Sequence, residues 1–230
     1  MSLLRSHPVK RQAALLAAAA VTVAIAVATM VAPGPAAGRA GGFASRPCAP
    51  QGAKVTAEDG AGMVYALGNA VYACSAASGH STKLGSSGFA GGPGAARVGP
   101  VALAGPYVAY GTHTMGIDTG SSQVLLRRLS TGRVIGTWSG FPTVLGPESS
   151  TTIEAVVAQP SGSFAWIVSG ESIIHSSSFN VGVYEARLRV HGVSVGPLDQ
   201  GRLIAPKSLK LHGTQLSWRH GSQTRHATLV

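Results

Sequence analysis

From residue 53 onward, apolar and polar positions alternate with a period of two in short runs, and glycine-bearing turns separate the runs. "MVYAL" (63–67) and "AVYAC" (70–74) flank Gly68-Asn69. "VALA" (101–104) and "YVAY" (107–110) flank Gly105-Pro106. "IEAVVA" (153–158) and "SFAWIV" (163–168) flank "QPSG", and "SLKL" (208–211) and "TQLSW" (214–218) flank His212-Gly213. Short β-rich runs interrupted by such turns predict β-hairpins. The second run of each pair carries an aromatic residue near its end: Tyr72, Tyr110, Trp166 and Trp218.

More strand material follows each pair. "QVLLRRL" (123–129) and "RVIGTW" (133–138) follow the second, and "VYEARLRV" (183–190) and "VSVGPL" (193–198) follow the third. The first and last have shorter sequels, "HSTKL" (80–84) and "QTRHATL" (223–229). No stretch beyond residue 40 has a helical period, so the pattern predicts an all-β domain over 53–230. Its unit is an antiparallel meander of three or four strands, repeated four times. The marker aromatics lie 38, 56 and 52 residues apart, which makes the repeats irregular. A single small meander cannot hide its apolar face, whereas a stack hides each face against the next. Four blades of roughly 42 residues fill the available length, so the expected architecture is β-propeller-like, with a β-sandwich of the same hairpins as the rival. "AKVTAE" (53–58) is expected to pair with the last hairpin and close the ring, with Tyr72, Tyr110, Trp166 and Trp218 at matching buried places.

The stretches "VYALGNAVYACSAASGHSTKLG" and "SLKLHGTQLSWRHGSQTRHATL" resemble repeats of exported bacterial β-propeller-like proteins, the loose WD40-like and TolB-like group. The resemblance spans about 53–230 and rests on a glycine turn, an apolar strand, an aromatic and a second turn. It lacks the Trp-Asp dipeptide of WD40 repeats. It implies a scaffold and transfers no site residues, because one such scaffold hosts many activities.

The first forty residues are different material. Arg5, Lys10 and Arg11 precede "AALLAAAAVTVAIAVATMVA" (13–32), which has no charge and is followed by "PGPAAGRAGG". A basic start, an apolar run and a small-residue exit predict an export signal helix over 1–40, either cleaved or retained as a membrane anchor. In either case the remaining chain is expected outside the cytoplasm, extracellular or in the cell envelope, touching a membrane only through that helix. Residues 41–52 read as a Gly/Ala/Pro linker. Two cysteines in an exported chain predict a Cys48–Cys74 disulfide. Its loop of 25 intervening residues makes it worth roughly 3 kcal/mol on the chain-entropy model.

The full chain carries a net charge of +10, but residues 41–230 hold 14 basic and 8 acidic side chains, a net of +6. This modest excess is compatible with an anionic envelope polymer or a protein partner, and nothing in it specifies nucleic acid. Arg187 and Arg189 lie two apart on one strand and share a face. Arg219 and Arg225 bracket the last turn and are expected opposite one another. These four are the candidate binding residues. Four of the eight histidines, His80, His191, His212 and His220, adjoin a glycine, and the sequence reads all four as turn residues, with positive φ expected for those that precede the glycine. No metal-ligand or cofactor spacing is present.

Asp118-Thr119-Gly120-Ser121 matches the active-site tetrapeptide of aspartic peptidases. That resemblance implies Asp118 as a catalytic carboxylate supported by Thr119 and Ser121, with a homodimer supplying the second aspartate. The same four residues also suit a turn between two strands. With one copy of the motif and no complete catalytic set, the sequence predicts a non-catalytic binding module or scaffold, with the peptidase as the alternative.

Overall fold

The computed structural model describes residues 48–89, 95–116, 119–141, 149–172, 180–190 and 192–230. The predicted signal helix and Asp118 lie outside the described residues. Every regular element described is a β-strand, as the period of two requires.

The strands form four antiparallel runs in chain order. The first is β1 (Lys54–Asp59), β2 (Gly62–Leu67), β3 (Ala70–Ser75) and β4 (Ser81–Ser86). The second is β5 (Ala96–Ala104), β6 (Tyr107–Met115), β7 (Gly120–Arg128) and β8 (Val134–Ser139). The third is β9 (Ser149–Ala158), β10 (Phe164–Ser172), β11 (Asn180–Arg189) and β12 (Gly192–Gln200). The fourth is β13 (Lys210–His212), β14 (Gln215–His220) and β15 (Gln223–Thr228), a separate three-stranded sheet. Single parallel residue pairs, Ser86 with Arg97 and Gly120 with Ser150, join the first three runs at their ends.

Successive side chains point to opposite faces, so a strand apolar at every position buries both. In β10, Phe164, Trp166 and Val168 enter a cluster with Tyr107, Ala109, Val124 and Leu126 of the second run. The intervening Ala165 and Ile167 pack against Leu216 and Trp218 of the fourth. Val108 and Tyr110 of β6 pack against Val64, Val71 and Ala73 of the first. The runs are thus stacked face to face with a hydrophobic layer between each neighbouring pair. Asp59 ties the first junction: its carboxylate accepts from the Ala61 and Gly62 amides and, across the junction, from the Gly105 N–H at 2.9 Å. Gly105 makes the β5–β6 turn with φ of +55°, and a side chain there would press on Pro160 at 3.2 Å.

Three sequence expectations are corrected. "AKVTAE" does not pair with the last hairpin: β1 is antiparallel to β2 and opens the first run. The added strand shifts the repeat phase, so the first run's second strand carries Tyr65. Tyr72 stands on β3, half-buried and stacked on Tyr65 with ring centroids 5.3 Å apart. Tyr110, Trp166 and Trp218 do occupy equivalent second-strand places, each turned toward the preceding run and no more than 3% exposed. Finally, no described non-glycine residue has positive φ. The turns use Gly213 (+57°) and Gly221 (+61°), not His212 and His220; His191 lies outside the described residues.

Candidate functional site

Of the peptidase-like tetrapeptide, Thr119 immediately precedes β7, Gly120 and Ser121 are its first two residues, and Asp118 lies outside the described residues. Met115 pairs with Gly120, and the Gly116 N–H donates to the Thr119 carbonyl at 2.7 Å; residues 117 and 118 between them lie outside the described residues. Thr119 and Ser121 are exposed, and Ser121 stands opposite Thr114 on β6. The neighbouring polar side chains tie the second run to the third. His113 Nδ1 donates to the Thr151 carbonyl at 2.8 Å, and Ser122 donates its N–H and its hydroxyl to Thr151 Oγ1, each at 2.9 Å.

The four candidate arginines separate. Arg187 and Arg189 share the face of β11 that looks toward the fourth run, as their spacing requires. Arg187 is held there: it pairs with Glu185 at 2.8 Å and donates to the Thr228 carbonyl at 3.3 Å. Arg189 is exposed near the β11–β12 turn. Arg219 and Arg225 are not opposite one another. Arg219 faces Thr224, and Arg225 faces Trp218, so a one-residue offset puts the two arginines on opposite faces of the sheet. Arg219 points outward and is exposed. Arg225 points inward and pairs with Asp199 at 2.6 Å.

Asp199 gathers the densest polar network described, and sequence reading missed it. Its Oδ2 accepts from Trp218 Nε1 at 2.7 Å and from His220 Nδ1 at 2.9 Å, and its Oδ1 accepts from Arg225 and from the Gln200 N–H. Burial alone would push this carboxyl up; the Trp218 and His220 hydrogen bonds and the His220 and Arg225 charges outweigh it and hold the group below the usual carboxylate range. Trp218 and His220 are two apart and so share a face, whereas the register that sets Arg225 opposite Trp218 is seen only in the structure. Nothing in the sequence placed Asp199, on another sheet, over that face. Burial likewise pushes the Tyr110 phenol up, offset in part by the hydrogen bond from Arg127 at 2.7 Å.

Cys48 and Cys74 are disulfide-bonded with Cα atoms 5.6 Å apart, as expected. They lie with Tyr65 in a cluster on the outer face of the first run. The tail from Cys48 therefore covers Tyr65 where, in every later run, a preceding sheet would lie. Among the described residues no group of three or more metal-ligating side chains converges.

No protein-family model matches the chain, and no curated protein does. Among solved structures it is similar to dipeptidyl peptidase 4 of Porphyromonas gingivalis, at 8% identity and a TM-score of 0.49, over 72% of this chain and 29% of that one. It is similar to the WD40 domain of SCAP from fission yeast at 11% identity and a TM-score of 0.39, over 76% and 40% of the two chains. It is also similar to a prolyl endopeptidase at 16% identity and a TM-score of 0.40, over 76% and 28%. These are β-propeller proteins, and the chain spans less than half the length of each.

Proposed function

We propose that this chain is an exported, non-catalytic β-repeat scaffold that serves as a binding module, with its four runs arranged as four propeller-like blades. One observation carries the reading: the four described carboxylates that are not exposed all hold structural bonds. Asp59 ties the first run to the second, Glu154 accepts from Ser169 at 2.6 Å, Glu185 pairs with Arg187, and Asp199 anchors the fourth run to β12. Two of them, Asp59 and Asp199, join neighbouring runs, and Glu154 and Glu185 are held within the third. The disulfide and the signal-like residues 1–40 support export.

The deciding experiment incubates the purified chain with unfolded casein between about pH 3 and 6, the range in which an aspartate dyad shares its proton. No cleavage, with or without a pepstatin-type inhibitor, is expected. Cleavage that the inhibitor blocks and that Asp118→Asn abolishes would establish the peptidase and overturn the scaffold.

A further inference from the structure

The fourth run has one sign of charge. Residues 201–230 contain five Lys or Arg side chains, three histidines and no carboxylate. The inward face of this sheet, with Leu216 and Trp218, closes the hydrophobic layer against the third run. The outward face is built from the alternate positions. Lys210 stands opposite Ser217, and Ser217 opposite His226; Arg219 stands opposite Thr224 in an adjoining row, and His212 is two residues along from Lys210. All six are exposed except Ser217, which is half-buried. Asp199, the nearest acidic residue in sequence, lies on the inward side and is already neutralised by Arg225. The outward face therefore presents cations with no compensating acid.

The non-charged members of this face decide what such a surface can hold. It has hydroxyls between the cations and no Phe, Tyr or Trp. Without aromatic rings it offers no stacking platform for nucleic-acid bases. Without apolar side chains it cannot form the dry centre of a protein–protein interface. Opposed side chains on adjacent strands lie about 5 Å apart, so a cation and a hydroxyl can engage one sugar unit together.

We propose that the outward face of β13–β15 binds an acidic polysaccharide, a polymer whose units present a carboxylate beside hydroxyls. Lys210 and Arg219 pair with the carboxylates, and Ser217 and Thr224 hydrogen-bond the sugar hydroxyls. The inference rests on the binding-module reading and names its surface and ligand class.

The test measures binding of the full chain to immobilised polygalacturonate at low ionic strength, where exposed charge pairs are least screened. The parent is expected to bind polygalacturonate and to ignore neutral dextran. A Lys210→Gln/Arg219→Gln variant is expected to lose about tenfold in affinity, the effect of two exposed charge contacts at up to about 1 kcal/mol each. A Lys83→Gln/Arg133→Gln variant removes two exposed cations from other runs and is expected to bind as the parent does. Thermal melts of both variants are expected to match the parent's, which separates lost binding from lost folding. Absence of parent binding, equal binding to dextran, or equal losses in the two variants would each overturn the proposal. So would displacement by single-stranded DNA as effective, charge for charge, as by free polygalacturonate. None of these outcomes bears on the casein assay, so the surface can fail while the scaffold reading stands.

Discussion

Trp166 has no exposed surface, stacks on Phe164 and Tyr184, and donates its indole N–H to the Gly140 carbonyl at 2.8 Å. Trp166→Ala should cost about 3–5 kcal/mol in urea unfolding, as large core truncations do. Trp166→Phe should cost less, since most of the apolar volume survives and what is lost is one hydrogen bond to Gly140. Acrylamide should quench Trp166 and Trp218 weakly in the folded chain, and strong quenching of both would contradict their burial. Asp199 gives a pH signature with a defined sign. Its folded pKa lies below the unfolded value of 3.8, so its contribution is fully present above 3.8 and is lost as pH falls from there through the lower folded pKa. Acid unfolding of Asp199→Asn should therefore be flatter than that of the parent below about pH 4, with a lower plateau of stability at neutral pH.

The first and last runs solve the same problem in different ways. A terminal sheet of a stack has one face with no neighbour. The fourth run makes that face polar, with Gln215, Ser217 and Arg219 alternating against the buried Leu216 and Trp218. The first run keeps it apolar and covers it with the tail that the Cys48–Cys74 disulfide pins over Tyr65. A Cys48→Ser/Cys74→Ser variant should lose about 3 kcal/mol, measured by chemical denaturation. Hydrogen exchange should rise first in β2 and β3, the strands beneath the tail. The β5–β6 turn carries its own test. Gly105→Ala adds a methyl group at φ of +55° against Pro160, where there is little room, so it should destabilise the chain by about 1–2 kcal/mol.

Across the whole molecule, stability is distributed over three interfacial layers, and each inner run depends on both its neighbours. Deleting residues 201–230 should uncover Ala165, Ile167, Val181 and Val183, all fully buried in the complete chain. The truncated protein should bind a hydrophobic dye such as ANS and lose its cooperative melt. A truncated chain that melted cooperatively without dye binding would show that the third run does not need the fourth.

The sequence by itself determined the strands, most of the hairpins and the disulfide. These follow from local chemistry: a period of two, a glycine that can adopt positive φ, and the parity of two cysteines. It also marked Tyr110, Trp166 and Trp218 as equivalent core positions, because an apolar aromatic recurs at the same place in each phrase. Tertiary structure alone decided the phase of the first run, where β1 took the place of an opening strand and moved Tyr72 out of the equivalent position. It decided that Arg219 and Arg225 face opposite ways, since a one-residue offset across β14 and β15 changes the face while leaving the spacing unremarkable. And it alone brought Asp199 from β12 over Trp218, His220 and Arg225, because contacts between sheets depend on how faces stack and leave no period in the chain.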